Sequence, residues 1–428
     1  MNEAVDFVTE IVKLIIQKTL KEHFMNNNVV IEFFDSEPLE NLITCLNYEM
    51  DKVVYIGYPQ TMTEKKRQDT SESLISLCGL SQDNIEYIEV NDNSLSVILE
   101  IIEQVIVREA DNKNQCFIDI TGGEDLVLVA LGQASVLFKA PMHRYDVIDN
   151  ELNVLNPELG IKITDKAVPR RINVDIENLI RVYGARINYN RQSCKRTVDD
   201  RDKYIDMVDN LWEVSTDITY KWNSMCGVLN RMLKLYSEDK MNINMSIKDF
   251  NKIYSSILSD DRNQLYWNRF INVVKKAGCI STYSANNKYF KLSFSSEIAR
   301  NLLTDPGLVL ELHTYFGLME KGEYDECLTG VHIDWDGEIH QDITGNPGDD
   351  VENEIDVIAR KGNIMTFISC KNGEFKKEAL YELDAVVSHF GEKYIHKCIV
   401  ATQPLKHADI MRAQEMGIVI CNKTDVIL

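Results

Sequence analysis

Apolar and polar residues follow two patterns along the first 150 residues of the chain. Short apolar runs, which predict buried strands, begin at Val29, Lys52, Asn84 and Cys116. Between them lie segments with an apolar residue every three or four positions, such as Ser94 to Arg108, which predict amphipathic helices. Buried strands that alternate with helices predict a parallel, doubly wound sheet. Ligands of such sheets bind beyond the carboxyl ends of the strands.

The middle of the chain has a different pattern. Residues 165–240 are mainly helical in pattern, and their basic run from Arg186 to Arg201 is expected to be a linker or an exposed arm. A capping box at Ser246 to Asp249 opens one further helix, and another is predicted from Arg262 to Ala277. Two short strands follow, Ile280 to Tyr283 and Lys288 to Phe294. Helices followed by a hairpin indicate a winged-helix-like unit, which serves as a spacer about as often as it reads DNA.

The length of 428 residues predicts two or three domains. The composition, 44% hydrophobic and 26% charged, is that of an ordinary globular protein. No apolar run has the length of a membrane span, and the amino terminus lacks the basic start of a secretory signal. The 10 cysteines include no Cys-x-x-Cys pair. These features favour free thiols in a reducing cytoplasm.

The net charge of −21 is unusual for a protein that touches nucleic acid, but the charge is unevenly distributed. Residues 1–150 carry 11 basic against 26 acidic side chains, and residues 301–428 carry 11 against 23. Residues 151–300, in contrast, carry 24 basic against 18 acidic side chains. The basic middle is explained either by ordinary solvated faces or by a path for a polyanion.

A glycine-rich turn follows the fourth predicted strand, in the stretch CFIDITGGEDLVLVALG. Glycines let backbone N–H groups approach an anion closely at the amino terminus of a helix, where the helix dipole also favours negative charge. The Gly-Lys-Ser/Thr pair of a P-loop is absent, which argues against ATP hydrolysis. The turn is therefore either an anion cradle or a tight structural turn, and Thr121-x-x-Glu124 also matches a capping box.

A second polar cluster is predicted in EIDVIARKGNIMTFISCKNG, from Glu354 to Gly373. Period-two alternation places Glu354 and Asp356 on one face of a strand, and after a turn it places Ser369 and Lys371 on one face of the next strand. Such a hairpin brings carboxylates and an ammonium together at the end of a sheet.

The strand order and the Thr-Gly-Gly turn of residues 28–150 resemble the CARF family, sensory domains of CRISPR defence systems that bind cyclic oligoadenylates. In that family, loops from two subunits surround one cyclic ligand, usually cyclic tetra-adenylate, on the dimer axis. Glu124 stands where many relatives have Lys or a polar residue, so the anion would rely on N–H and hydroxyl donors. The resemblance implies a homodimer with these ligand-binding residues: Asp35, Ser36, Glu37, Gln60, Thr61, Thr121, Gly122 and Gly123.

The carboxyl-terminal hairpin resembles the core of the PD-(D/E)xK nucleases, through Asp356, Lys371 and the neighbouring Glu354. The amphipathic helix in GLVLELHTYF supplies Glu311 as the further carboxylate of that core. The resemblance implies a phosphodiester hydrolase that uses Mg²⁺ or Mn²⁺. Its metal ligands would be Glu311, Asp356 and the backbone carbonyl of Cys370, and Lys371 would position the attacking water.

Ser369 departs from this nuclease pattern, because it occupies the position of the second acidic residue. A neutral hydroxyl binds a cation weakly, and we expect Glu354 to compensate as an extra carboxylate. A degenerate nuclease retained as a scaffold is the alternative. A scaffold, however, has no need for the clustered charges of Glu311, Asp356 and Lys371.

The order sensor, winged helix and nuclease resembles the CARF-containing CRISPR ancillary nucleases over nearly the whole chain. The expected α/β architecture has a CARF domain (1–160), a helical linker region (161–240), a winged-helix-like unit (241–300) and a restriction-endonuclease-like domain (301–428). We expect a cytoplasmic homodimer in which cyclic tetra-adenylate activates a metal-dependent endonuclease of RNA and/or DNA in type III CRISPR antiviral defence. The alternative is a ligand-responsive transcription regulator with the same sensor and an inactive nuclease-like domain.

Overall fold

The computed structural model describes residues 27–149, 151–156, 161–163, 174–189, 201–217, 221–257, 263–335, 352–391 and 393–422. They divide into two compact units. The first unit comprises the residues up to Val174 together with Arg181–Tyr183. The second comprises Asp175–Ile180 and the residues from Gly184 onward. Within the described ranges, no helix is long and apolar enough to cross a membrane. The finer division into four regions stays a prediction.

The first unit is built on a mostly parallel sheet. Its strands are Asn28–Phe33 (β1), Lys52–Gly57 (β2), Ile85–Glu89 (β3), Gln115–Asp119 (β4), Met142–Asp146 (β5), Glu151–Asn156 (β6) and Ile161–Ile163 (β7). They lie in the order β3-β2-β1-β4-β5-β6-β7, with β1 to β5 parallel and the last two antiparallel. The predicted doubly wound parallel sheet is thereby confirmed.

Helices cover this sheet and explain its apolar strands. They are Ile43–Asn47, Glu64–Ser73, Leu95–Asp111 and Asp125–Phe138, with a π-helical turn at Leu74–Cys78 and a 3₁₀ turn at Gln82–Asn84. The last two α-helices bury apolar side chains against one face of β1, β2 and β4. Parallel strands that are buried on both faces read as continuous apolar runs, as they do here. The loops that follow β1, β2 and β4 all leave the same edge of the sheet.

The second unit contains a larger mixed sheet and a smaller antiparallel one. Its strands are Arg186–Ile187 (β8), Asn242–Ser246 (β9), Ile280–Ala285 (β10), Tyr289–Phe294 (β11), Glu326–Asp334 (β12), Glu352–Lys361 (β13), Ile364–Lys371 (β14), Ile395–Ala401 (β15) and Ile418–Asn422 (β16). The larger sheet has the order β16-β15-β14-β13-β12-β8, and the smaller has the order β10-β11-β9. The α/β class expected from the sequence holds for both units.

The helices around these sheets account for most of the remaining described residues. They are Ile176–Val182, Arg201–Thr216, Trp222–Tyr236, Ile247–Ile257, Asn263–Lys276, Glu297–Thr304, Leu308–Lys321, Glu378–Ser388 and His407–Glu415. The predicted start of the helix Ile247–Ile257 is confirmed, because Ser246 Oγ accepts a hydrogen bond from the Asp249 N–H at 3.1 Å, while its own hydroxyl donates to Asp249 Oδ2 at 2.7 Å. Phe250 stacks on Phe290 with ring centroids 4.5 Å apart, which packs the helix Ile247–Ile257 against β11. This core is continuous with that of the larger sheet.

The beginning of the basic run differs from the expectation. Arg186 and Ile187 form an edge strand of the larger sheet, paired with Asp334 and Ile333, rather than a linker or an exposed arm. Pairing there satisfies backbone groups along the edge of β12, which a short-range sequence pattern does not reveal. Residues 190–200 of the same run lie outside the described residues.

Candidate functional site

A tight turn places Glu311 at the start of its helix. Gly307 donates its N–H to Asp305 Oδ1 at 3.1 Å, and Gly307 O accepts from the Glu311 N–H at 3.1 Å. A Cβ atom on Gly307 would lie only 2.8 Å from Glu311 Oε1. The carboxylate therefore folds back over the turn, and a side chain at position 307 would displace it.

The β13–β14 hairpin places Asp356 beside the end of the neighbouring strand. The antiparallel register pairs Val357 with Ile368. Asp356 Oδ2 accepts hydrogen bonds from the Cys370 N–H at 2.5 Å and from Ser369 Oγ at 3.3 Å. The Cys370 thiol points the other way, into the core.

Glu311 and Glu354 line one cavity of about 590 Å³. Asp305, Arg300 and Asn301 contribute further polar groups to its wall. Asp356 and Lys371 are close enough to Glu311 for their charges to act on its carboxyl group. The structure thus brings together the four charged residues that the sequence predicted for the active site.

Arg300 is a residue of this cavity that the sequence did not single out. It lies on the helix Glu297–Thr304. Its Nε and Nη2 atoms donate to Asn301 Oδ1 at 3.1 and 2.8 Å, and its Nη1 atom lies 3.1 Å from Glu297 Oε1. The only local signal was a basic residue on an amphipathic helix one element before Glu311, which is too common to identify a site.

Crowding and burial change the acidity of this cluster. Burial and, after it, the carboxylates of Asp356, Asp305 and Glu354 together raise the pKa of Glu311 to about 9, while Lys371 opposes them. Burial also raises the pKa of Asp356, against the effects of Lys371 and of the hydrogen bonds from residues 369 and 370. Like-charged groups in a partly desolvated site cannot all ionise without a compensating cation.

Glu354 belongs to the same charged group but has its own partner. Burial raises the pKa of Glu354, and the nearby His332 lowers it. His332 Nε2 lies 3.6 Å from Glu354 Oε1, on the adjacent strand β12. Glu354 is therefore held at the cavity without a direct bond to Asp356 among the described contacts.

The donor set fits a hard divalent cation. In the part of the chain that the structure describes, no three His, Cys, Asp or Glu side chains are grouped as a ready-made metal site. Mg²⁺, however, commonly binds through one or two carboxylates and keeps several waters. Glu311 and Asp356 are two such carboxylates, and a bound cation would offset the burial and the repulsion that raise the pKa of Glu311. A contribution from the Cys370 carbonyl stays a prediction.

The first unit collects the residues predicted for the ligand at one edge of its sheet. After β1, Asp35 Oδ1 accepts from the Glu37 N–H at 2.8 Å and from Ser36 Oγ at 3.2 Å. After β2, the Thr61 N–H donates to Tyr58 O at 3.0 Å in the turn that holds Gln60. Glu37 is buried, and burial raises its pKa to about 6.

The Thr-Gly-Gly turn meets the loop that follows β1. A Cβ atom on Gly122 would lie 2.9 Å from Glu40 Oε2 and 3.1 Å from Asp35 Cβ. Gly123 has φ +139°, a conformation that side chains rarely adopt. The turn thus needs both glycines, the first for close packing and the second for its backbone conformation.

The capping box predicted at Thr121 and Glu124 is wrong. The helix begins at Asp125 with Glu124 as its N-cap, and no side chain caps it. Thr121 Oγ1 accepts instead from the Tyr145 N–H at 2.9 Å, and the Thr121 N–H donates to Asp119 Oδ1 at 2.7 Å. A partner from the neighbouring strand has replaced the local one.

Comparisons with known proteins agree with this geometry. Residues 298–426 match the family model of the Card1-like endonuclease domain, a range that contains Glu311, Glu354, Asp356 and Lys371. No curated protein matches the chain. Protein VC1899 from Vibrio cholerae has a similar structure, with a TM-score of 0.65 and 16% identity over 94% of this chain and 95% of that one.

A second similar structure is that of Can2 from Sulfobacillus thermosulfidooxidans in complex with cyclic tetra-adenylate. Its TM-score is 0.60, with 17% identity over 94% of this chain and 95% of that chain. At this identity, the likeness establishes a shared fold. The resemblance drawn from the sequence is confirmed in these terms: the chain has the fold of Can2, and its residues 298–426 match the model of the Card1-like endonuclease domain.

Proposed function

We propose that this protein is a metal-dependent endonuclease of type III CRISPR defence that a cyclic oligoadenylate activates. The observation that carries the catalytic half is the cluster of Glu311, Asp356, Glu354 and Lys371 within the matched endonuclease domain. Buried like charges cost stability, so a protein that keeps them needs them for its function. A phosphodiester hydrolase needs this kind of donor set.

Each residue of the cluster has a distinct proposed role. Glu311 and Asp356 would hold Mg²⁺ or Mn²⁺, which would supply an activated water and offset negative charge at the phosphate. Lys371 orients the attacking water and stabilises the charge that develops on the phosphate oxygens. Ser369 fixes Asp356 through its hydroxyl, 3.3 Å away. Glu354 supplies the additional negative charge that Ser369 lacks.

Arg300 gives the acidic cavity a positive side for the nucleic acid. A guanidinium presents several N–H donors in a fixed plane and binds phosphate oxygens in pairs. The bonds from Arg300 to Asn301 and Glu297 use three of those donors and hold the plane in place. We assign Arg300 to a phosphate that flanks the scissile bond of the RNA or DNA strand.

The ligand half of the proposal rests on the first unit. Can2, which shares this fold, was solved with cyclic tetra-adenylate bound. We assign that ligand to the sheet edge formed by Asp35–Glu37, Gln60–Thr61 and Thr121–Gly123. Because several of these residues are acidic, the ring phosphates would meet backbone N–H groups at the start of the helix Asp125–Phe138, where the dipole is positive.

A two-fold ligand fits a two-fold protein. Two copies of the chain would enclose one cyclic tetra-adenylate between identical loops, so we propose a homodimer that acts inside the cell. The ligand shifts the equilibrium between resting and active dimers only by its difference in affinity for the two. Activation therefore requires that the ligand bind the active dimer more tightly.

A cleavage assay tests the catalytic half. Labelled RNA, single-stranded DNA and supercoiled plasmid are incubated with the protein, Mn²⁺ and cyclic tetra-adenylate, with and without excess EDTA. We expect at least one substrate to be cut and the cutting to stop with EDTA. Undiminished cleavage in EDTA would contradict the metal mechanism. Ligand-dependent DNA binding without any cleavage would support the transcription regulator instead.

A further inference from the structure

Asn372, the residue directly after Lys371, joins several separate parts of the second unit. Its Nδ2 atom donates to Pro306 O at 2.9 Å and to Ser215 O at 3.2 Å. Its Oδ1 atom accepts from Thr402 Oγ1 at 3.0 Å. The side-chain amide thus uses both of its ends, and the carbonyl partners fix which end is the nitrogen.

The bond to Pro306 connects the two halves of the active site. Pro306 stands immediately before Gly307, the N-cap of the helix Leu308–Lys321 that carries Glu311. Asn372 stands immediately after Lys371, at the end of β14. One amide side chain therefore spans from the Lys371 strand to the start of the Glu311 helix, although the two residues it joins are 66 positions apart.

Thr402 fixes Asn372 from the adjacent strand end. The Thr402 N–H donates to Lys371 O at 3.2 Å, and Thr402 Oγ1 accepts from the Gly373 N–H at 2.9 Å. The hydroxyl in turn donates its single proton to Asn372 Oδ1. The backbone on both sides of Asn372 is thus tied to one threonine, which leaves the amide little freedom to rotate.

We propose that Asn372 is a positioning residue that sets the separation between Lys371 and Glu311. This inference rests on the proposed nuclease function. The two groups lie on different elements, and a displacement of about 1 Å in an active site can cost about 100-fold in rate. Aspartate lacks the N–H donors for Pro306 and Ser215, and alanine lacks both ends of the amide. The carboxamide at this length meets all three bonds.

Asn372→Ala and Asn372→Asp test the proposal through two readouts. We expect kcat to fall roughly 10- to 100-fold in both variants while KM changes less than about twofold, because Arg300, the residue assigned to a substrate phosphate, is not altered. Calorimetric titration with Mn²⁺, without substrate, should show affinity weakened severalfold, since Glu311 has moved relative to Asp356. If Asn372 had only a structural role, its substitution would lower the melting temperature but would not lower kcat selectively while KM stays constant.

Controls separate this inference from folding and from the proposed function. Asn210→Ala removes an exposed asparagine of the helix Arg201–Thr216 and should match wild type in both readouts. Thr402→Ser, which keeps the hydroxyl, should retain more activity than Thr402→Val. If the Asn372 variants do not fold, this pair of Thr402 variants tests the proposal in their place. Failure of the wild type to cut any substrate would refute the function, while the Mn²⁺ titration would still test the inference. Folded Asn372 variants with wild-type kcat and Mn²⁺ affinity would overturn it.

Discussion

The hydroxyl of Ser369 lies 3.3 Å from Oδ2 of Asp356, on the facing strand of the β13–β14 hairpin. The nuclease resemblance predicts a second carboxylate at position 369. This protein instead has a hydroxyl there, which donates a hydrogen bond to the carboxylate of Asp356. The hydroxyl contributes a hydrogen bond but no charge. The additional negative charge must come from another residue, and Glu354 lines the same cavity as Glu311.

Glu354→Gln should raise the Mn²⁺ concentration needed for half-maximal cleavage by roughly 10-fold or more, because it removes one charge at nearly constant shape. Metal titrations of the cleavage rate measure this. Glu320→Gln is the matched control, since Glu320 is an exposed residue of the Glu311 helix. A metal requirement in Glu354→Gln equal to that of the control would rule out compensation by Glu354.

Ser369→Glu completes this test in the opposite direction. If charge is what Ser369 lacks, the substitution in the Glu354→Gln background should lower the Mn²⁺ requirement again, because the new carboxylate lies beside Asp356. The measurement is the same metal titration. If the double variant needs more Mn²⁺ than Glu354→Gln alone, the small size of Ser369 matters more than its missing charge.

The raised pKa of Glu311 predicts a pH-dependent stability of the metal-free protein. A carboxyl group with a pKa of about 9 in the folded state, against an ordinary value of 4.5, holds its proton more tightly when folded. Its stabilising effect is complete below pH 4.5 and is lost as the pH rises through about 9. Glu311→Gln mimics the protonated form at every pH.

In EDTA, therefore, Glu311→Gln should melt at a higher temperature than the wild type at pH 8.5, and the difference should shrink towards pH 5. Added Mn²⁺ should raise the melting temperature of the wild type more than that of the variant. Thermal unfolding at several pH values measures both effects. A variant that melts below the wild type at pH 8.5 in EDTA would show that burial and the neighbouring carboxylates do not raise the pKa of Glu311.

Gly122→Ala should abolish binding of cyclic tetra-adenylate. A Cβ atom at Gly122 meets Glu40 Oε2 at 2.9 Å and Asp35 Cβ at 3.1 Å, so the loop after β1 must shift. Calorimetry measures the affinity. Gly132→Ala is the matched control, because nothing lies within 4 Å of its added Cβ atom and alanine favours the helix. If a folded Gly122→Ala variant binds the ligand with the same affinity as Gly132→Ala, the turn has only a structural role.

Arg300→Met should weaken binding of a single strand measured in EDTA, where no cleavage occurs. Loss of one phosphate contact should also reduce the slope of log Kd against log salt concentration by about one. Fluorescence anisotropy over a range of salt concentrations gives both values. Arg231→Met removes an exposed arginine outside the cavity and is the control. An unchanged slope in Arg300→Met would remove Arg300 from the substrate path.

The sequence was sufficient where a local pattern decides the structure. Continuous apolar runs identified the parallel strands, because burial on both faces of a sheet leaves no polar alternation. Period-two alternation identified the hairpin with Asp356 and Lys371, because side chains on a strand must alternate between faces. In both cases the residues that carry the signal are neighbours along the chain.

The sequence was insufficient where a distant partner decides. Thr121 fits a local capping box, yet the Tyr145 N–H from another strand takes its hydroxyl. Arg186 lies in a basic run, yet it pairs with Asp334 at a sheet edge. Asn372 gives no local sign of its role, because its partners Pro306 and Ser215 are 66 and 157 positions away.

The most direct test of a ligand-activated nuclease is the initial rate of nucleic-acid cleavage in Mn²⁺ as a function of cyclic tetra-adenylate concentration, measured for the wild type and for Lys371→Ala. We expect the wild-type rate to rise from a low basal value and to saturate with the ligand. Lys371→Ala should bind the ligand with unchanged affinity and cut at no concentration. A wild-type rate that does not depend on the ligand, or a Lys371→Ala rate equal to that of the wild type, would contradict the proposed mechanism.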